Sequence, residues 1–163
     1  MKLIVDTNVA VVANKKHERA TGECVAACAR RLEEIEQQHV VVIDDNWHII
    51  REYQNNLSSD GQSGVGDAFL SWLLTNRANP ARCELVHISP GLEEDTFDEF
   101  PSDSALAGFD RRDRKFVAVC LAHEARPPIL NAVDPDWWEY REPLRANGIE
   151  VQFLCLDAPF FGT

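Results

Sequence analysis

Residues 2–13, KLIVDTNVAVVA, run from Leu3-Ile4-Val5 straight into Asp6-Thr7-Asn8 and then into a second apolar stretch. A short apolar segment that ends on a carboxylate has two readings. Asp, Thr and Asn side chains accept hydrogen bonds from the free amides that open a helix, so Asp6 can be the cap of a helix over 9–13. Alternatively, Leu3 to Val5 is a buried strand whose carboxyl end presents an acid to a ligand crevice, the place where open parallel sheets bind their ligands. The segments on either side separate the two.

Cys24, Cys28, Leu32 and Ile35 recur on one face of residues 21–38 while Arg30, Arg31, Glu33, Glu34 and Glu36 lie off it, which predicts an amphipathic helix. A buried strand follows over 40–43. Asp44, Asp45 and Asn46 then offer capping groups to a helix marked by Trp47, Ile50, Tyr53 and Leu57 and carrying Glu52. The Gly- and Ser-rich residues 58–66 read as a loop, 65–74 as a helix, and 85–88 as a short strand. An acidic stretch over 90–104, broken by Pro and Gly, reads as a surface excursion. Residues 109–125, FDRRDRKFVAVCLAHEA, place Phe116, Val119, Cys120 and His123 on one helical face. The next strand, 129–133, ends again on acid, Asp134-Pro135-Asp136. A helix over 137–147 stops at Gly148, and a last strand over 149–156 alternates Val151, Phe153 and Cys155 on one face.

Strands and helices alternate, and the strands at 3–5, 40–43 and 129–133 are nearly continuously apolar. This is the pattern of an α/β fold, a three-layer α/β/α arrangement around a central, mainly parallel sheet. No repeat, low-complexity tract or linker interrupts it, so one domain is expected over 1–163.

Composition narrows the function classes. The chain has 163 residues, 45% hydrophobic and 26% charged, with a net charge of −11, and a pI near 4.8. Such a balance excludes long-range attraction of a polyanion, so contact with nucleic acid has to be local or bridged by cations. The five cysteines, at 24, 28, 83, 120 and 155, sit in apolar patterns without a second zinc-ligand pair and read as reduced core residues. No window approaches the ~18 consecutive apolar residues of a membrane span, and Lys2 leads into a strand rather than a secretory core. A cytoplasmic protein with no membrane partner is the expectation.

Asp6 and Asp134 stand at strand ends, Asp113 opens the helix that feeds the Asp134 strand, and Glu52 lies in the helix after the second strand. Folded as above, the four converge on one pocket. Carboxylates within ~4–6 Å of one another repel, so one takes a proton or a multivalent cation sits between them. Oxygen ligands without His or Cys favour Mg²⁺ or Mn²⁺ over zinc. Such a site suits phosphodiester hydrolysis by an activated water. Asp136 reads either as a fifth acid of the metal set or as a cap for the helix that follows.

The stretches IVDTNV, the acid within IIREYQ, FDRRDRKFVAVCLAHEA and ILNAVDPDWW resemble, in order and setting, the successive motifs of PIN domains, the ribonuclease fold of many bacterial toxin–antitoxin toxins. The resemblance spans roughly residues 1–140, with Ala132 where such domains often carry Ser or Thr. It implies a Mg²⁺- or Mn²⁺-dependent endoribonuclease in which Asp6, Glu52, Asp113 and Asp134 hold the metal. RNA is the implied substrate, single-stranded DNA stays open, and a cognate antitoxin and a homodimer are both admitted. Thr7, Asn8 and Asn131 are candidates to orient the carboxylates or a metal water. Arg111, Arg112, Arg114 and Lys115 are candidate phosphate contacts, with Lys15, Lys16, His17 and Arg19 as a second basic edge; each group reads equally as a solvated face. Trp137 and Trp138 read as buried against the sheet, with base stacking as the alternative.

Two rivals remain. VVVIDD at 40–45 resembles the acidic pair of a receiver domain, and Asp134-Pro135-Asp136 the Asp-x-Asp of haloacid dehalogenase-like phosphatases, although the latter belongs on a first strand. The other rival is a catalytically degenerate PIN-like module that binds RNA or protein.

Overall fold

Leu3, Ile4 and Val5 are buried because β1 (Lys2–Val5) is the middle strand of the sheet. It pairs in parallel with β2 (Val40–Asp44) on one edge, Lys2 against Val40 and Leu3 against Val41. On the other edge it pairs with β4 (Ile129–Asn131), Ile4 against Ile129 and Val5 against Leu130. A strand covered on both edges and both faces has no solvent side, which is why its sequence does not alternate. β3 (Cys83–Val86) and β5 (Val151–Phe153) complete an all-parallel sheet in the order β3-β2-β1-β4-β5. The computed structural model describes residues 1–60, 62 and 64–156.

α1 (Thr7–Ala13) and α2 (Gly22–Gln38) connect β1 to β2, and α3 (His48–Asn56) and α4 (Val65–Asn76) connect β2 to β3. α5 (Arg114–Ala122) leads back across to β4, and α6 (Pro135–Glu139) and α7 (Arg141–Ala146) connect β4 to β5. The winding therefore reverses between β1 and β4, and right-handed crossovers put the helices of the two halves on opposite faces. α1 packs on α2 and α4, while α5 packs on β1, β2 and β4. The α1–α4 contact is so close that a Cβ on Gly66 would collide with the Ala10 carbonyl oxygen. Thus α/β with a parallel sheet is what the chain forms.

Several elements depart from the sequence pattern. β3 starts at Cys83, two residues before the expected strand, because Val41 pairs with Cys83; Leu85, which opened the expected run, is 38% exposed. The helix expected over 137–147 is two helices, α6 beginning at Pro135 and α7 after a turn at Tyr140. Pro143 has no N–H to offer the carbonyl of Glu139, so a continuous helix would lack that bond, whereas in the first turn of α7 the loss costs nothing. The strands expected over 129–133 and 149–156 are shorter, and the loop over 58–66 falls partly outside the described residues, at 61 and 63.

The cysteines are not all reduced. Cys24, in the first turn of α2, is joined to Cys155, two residues beyond β5, by a disulfide with a Cα–Cα separation of 5.0 Å. Cys28, Cys83 and Cys120 are buried free thiols, and burial pushes Cys28 up to about 12. The face of α2 that carries Cys24 and Cys28 meets the segment after β5, a pairing 131 residues apart that spacing does not announce. Among the described residues, no helix is long and apolar enough to cross a membrane.

Candidate functional site

Asp6 proves to be both cap and crevice acid. Its Oδ2 accepts the Asn8 backbone N–H at 3.0 Å, opening α1, while its Oδ1 is buried without a hydrogen-bond partner. Only one of its two oxygens is used by the helix. Asp134, three residues beyond β4, is built alike: Oδ1 accepts the Asp136 N–H at 2.9 Å and caps α6. These two carboxylates flank the point where the sheet reverses, the crevice in which open parallel sheets take their ligands.

Two helices bring in the others. α3 begins without a side-chain cap of its own: Trp47 takes a left-handed conformation (φ 68°), and Asp44 accepts the N–H groups of Asn46, His48 and Ile49 at 2.9–3.0 Å. Ile49, Ile50 and Tyr53 then bury one face. The Tyr53 hydroxyl donates to the Val5 carbonyl and pins α3 beside Asp6. Glu52, adjacent on the helix, thereby reaches the crevice. On the other side Asp110 accepts the Arg112 N–H at 3.0 Å and caps a single 3₁₀ turn, Arg111–Asp113, which delivers Asp113 at the start of α5.

Asp6, Glu52, Asp113 and Asp134 line one cavity of about 900 Å³. Burial first, then Asp113 and Glu52, hold Asp6 well above the usual carboxylate range. Burial, followed by the charges of Asp134 and Glu52, pushes Asp113 up to about 8. Burial also raises Asp134, against the Asp136 N–H that favours its charged form. Carboxylates crowded in this way are under electrostatic strain that protons or a cation relieve. The donors are all oxygen, one of them an unpartnered buried carboxylate atom, which is the donor chemistry of Mg²⁺ or Mn²⁺, although no three of the four carboxylates bring an oxygen each within 4.8 Å of one another.

The remaining sequence candidates divide. Thr7 donates its hydroxyl to Glu52 Oε2. Asn8 Oδ1 accepts the Ala132 N–H at 3.0 Å, bracing β4 against α1, and Asn131 Oδ1 accepts the Asp134 N–H at 3.2 Å. Asp136 stands behind the cavity, its Oδ2 accepting the Asp110 N–H at 3.3 Å, so it supports the turn that carries Asp113. Of the basic residues, Arg111 pairs with Glu93 at 2.7 Å and Arg112 with Asp110 at 3.1 Å. Arg114 donates to the carbonyls of Ala107 and Phe109 and lies over the Phe100 ring, away from the cavity. Lys115 is buried among the acids, its ammonium on Glu52 Oε1 at 2.8 Å and on the Arg112 carbonyl at 2.7 Å. From the second basic edge, His17 lies near enough to Asp134 to oppose its upward shift. Trp137 is fully buried edge-on to Phe109, and Trp138 packs against Phe153 under Arg141, so neither ring is free for a base.

Sequence reading missed the other wall. His48, Arg51, Asn55 and Asn56 of α3 line the cavity together with residues 90–97, whose Pro90 and Phe97 form an isolated antiparallel bridge. Arg51, Asn55 and Asn56 follow the Glu52 face of α3 at helical spacing, the one signal that pointed there. The 90–97 segment brings Glu93, Glu94 and Asp95 to the rim. Comparison of the chain with protein-family models, with curated proteins and with solved structures found no match.

Proposed function

We propose that the chain is a PIN-type, Mg²⁺- or Mn²⁺-dependent endoribonuclease, with a toxin role in a toxin–antitoxin pair as the setting the resemblance implies. One observation carries the reading: three carboxylates from separate elements, Asp6, Asp113 and Asp134, face one cavity at the sheet's reversal point, with Asp6 Oδ1 buried and unpartnered. The strand order with its reversal between β1 and β4 supports the same reading.

Asp6, Asp113 and Asp134 would hold the cation, which supplies Lewis acidity at the scissile phosphate and lowers the pKa of an attacking water. The chain's own part is orientation. The Asn8 N–H fixes the rotation of the Asp6 carboxyl, Asn131 and the Asp136 N–H fix Asp134, and the Asp110 turn fixes Asp113. Arg51 and Arg112 stand on the cavity wall where a phosphodiester backbone would lie. No side chain is positioned as a covalent nucleophile in this scheme. The receiver-like alternative loses support because Asp44 is spent on three backbone amides.

Purified protein with Mn²⁺ should cleave single-stranded RNA, and Asp6→Asn and Asp113→Asn should abolish cleavage while melting cooperatively. Intact RNA across a substrate panel, with both variants binding it like wild type, would favour instead a module that binds RNA or protein without cutting. The acidic rim of Glu93, Glu94 and Asp95 is the observation on that side.

A further inference from the structure

Glu52 differs from Asp6, Asp113 and Asp134, with which it lines the cavity. Both of its oxygens are already engaged, Oε2 by the Thr7 hydroxyl and Oε1 by the Lys115 ammonium at 2.8 Å. Asp6, by contrast, has a buried oxygen with no partner. The Glu52–Lys115 pair is largely out of solvent, at 18% and 8% side-chain exposure. Removing one member of such a pair leaves an uncompensated buried charge.

Lys115 also fills a particular kind of space. Its Nζ sits between Glu52 Oε1 and the Arg112 carbonyl oxygen at 2.7 Å, on the wall of a cavity that Asp113 lines as well. Carboxylate and carbonyl oxygens of this kind are the ligands a hard divalent cation takes. Two-metal hydrolytic sites set their ions ~3.5–4 Å apart across shared carboxylates. Here an ammonium already bridges such a carboxylate and such a carbonyl on the cavity wall.

We infer that Lys115 is a resident cation standing in for a second metal, so that the site takes a single divalent ion on Asp6, Asp113 and Asp134 while Glu52 is held off it as the partner of Lys115. The inference rests on the reading of the cavity as a divalent-metal site and adds its stoichiometry and the role of Lys115. Lys115 acts through Glu52 and is therefore a positioning residue.

Mn²⁺ titration of the full chain, followed by the free-ion electron paramagnetic resonance signal and by calorimetry, tests this without substrate. Wild type should bind one Mn²⁺ per chain, Lys115→Arg should also bind one, and Lys115→Ala should bind two. Glu52→Gln should keep one ion, weakened by about 10- to 100-fold, as for a group that touches the ion only through others. Asp6→Asn and Asp113→Asn should weaken it by more than about a hundredfold. If Lys115→Ala does not fold, judged by circular dichroism, wild-type stoichiometry and Glu52→Gln decide. Two ions in wild type, one ion in a folded Lys115→Ala, or Glu52→Gln as damaging as Asp113→Asn each overturn the inference and leave the nuclease reading standing. A wild type that binds no Mn²⁺ overturns both.

Discussion

Asp44 and Asp6 end neighbouring strands, are 1% and 3% exposed, and each follows a run of apolar residues, yet they do opposite work. Asp44 accepts three backbone N–H groups and organises the start of α3. Asp6 accepts one, leaves an oxygen buried without a partner and is pushed strongly towards its protonated form by burial and by Asp113 and Glu52. A strand-end carboxylate is thus satisfied when backbone amides surround it and strained when other carboxylates do. What separates the two is position. β1 borders the reversal of the sheet, and β2 does not.

Substitution should break the pair apart, and the largest effect is expected at Asp44. Asp44→Ala strips three amides at the head of α3 of their charged acceptor and should cost about 3 kcal/mol, read as a lowered denaturation midpoint. Asp6→Asn in chelator should leave the midpoint unchanged or raise it, since it removes a charge that the metal-free fold resists. Equal losses at the two positions would mean that Asp6 is no more than a cap.

Titration sharpens the same contrast, with a smaller effect. Asp113, pushed up to about 8, binds its proton more tightly folded than unfolded. Its contribution to stability is then complete below the ordinary Asp value near 4 and is lost as pH rises through about 8. Protein held in chelator should lose stability steadily between pH 5 and 8.5, read as a falling melting temperature. Asp113→Asn should flatten that slope, and Mn²⁺ at pH 8 should restore the wild-type midpoint by binding only the folded state. A wild-type slope that persists in Asp113→Asn would place the titrating strain elsewhere.

The same contrast explains what the sequence revealed. β1, β2 and the beginning of β4 were legible because strands buried on both faces are unbroken apolar runs, and Asp6 and Asp134 stood out as the acids that end two of them. Partnership was not legible. Asp44 and Asp6 look alike in the chain, and only the fold shows which finds amides. Lys115 reads as one more cation among Arg111, Arg112 and Arg114, although its place four residues before the buried Val119 put it on the inner face of α5. The Cys24–Cys155 bond depends on where α2 meets the end of β5, a tertiary fact with no local signal. Pro143 was the visible sign that the helix over 137–147 would break, and the apolar periodicity masked it.

The smallest expected effect is also the control on the others, because a chain with a net charge of −11 gains from losing almost any acid. Glu84 provides the comparison. It accepts from Lys2 Nζ at 2.8 Å and from the buried His123 Nε2 at 2.6 Å, and the Lys2 hydrogen bond, with His123 behind it, holds its carboxyl below the usual range. Its contribution is therefore present above the ordinary Glu value near 4.3 and fades as pH falls, the reverse of Asp113. Partial exposure limits that contribution to below about 1 kcal/mol. Glu84→Gln should lower the midpoint by less than about 4 °C at pH 8, equally in chelator and in Mn²⁺, and should converge with wild type near pH 3. If Glu84→Gln instead raised the metal-free midpoint as Asp113→Asn does, the strain would belong to the overall charge of the chain and not to the cavity, and the contrast between paired and crowded acids would no longer identify a site.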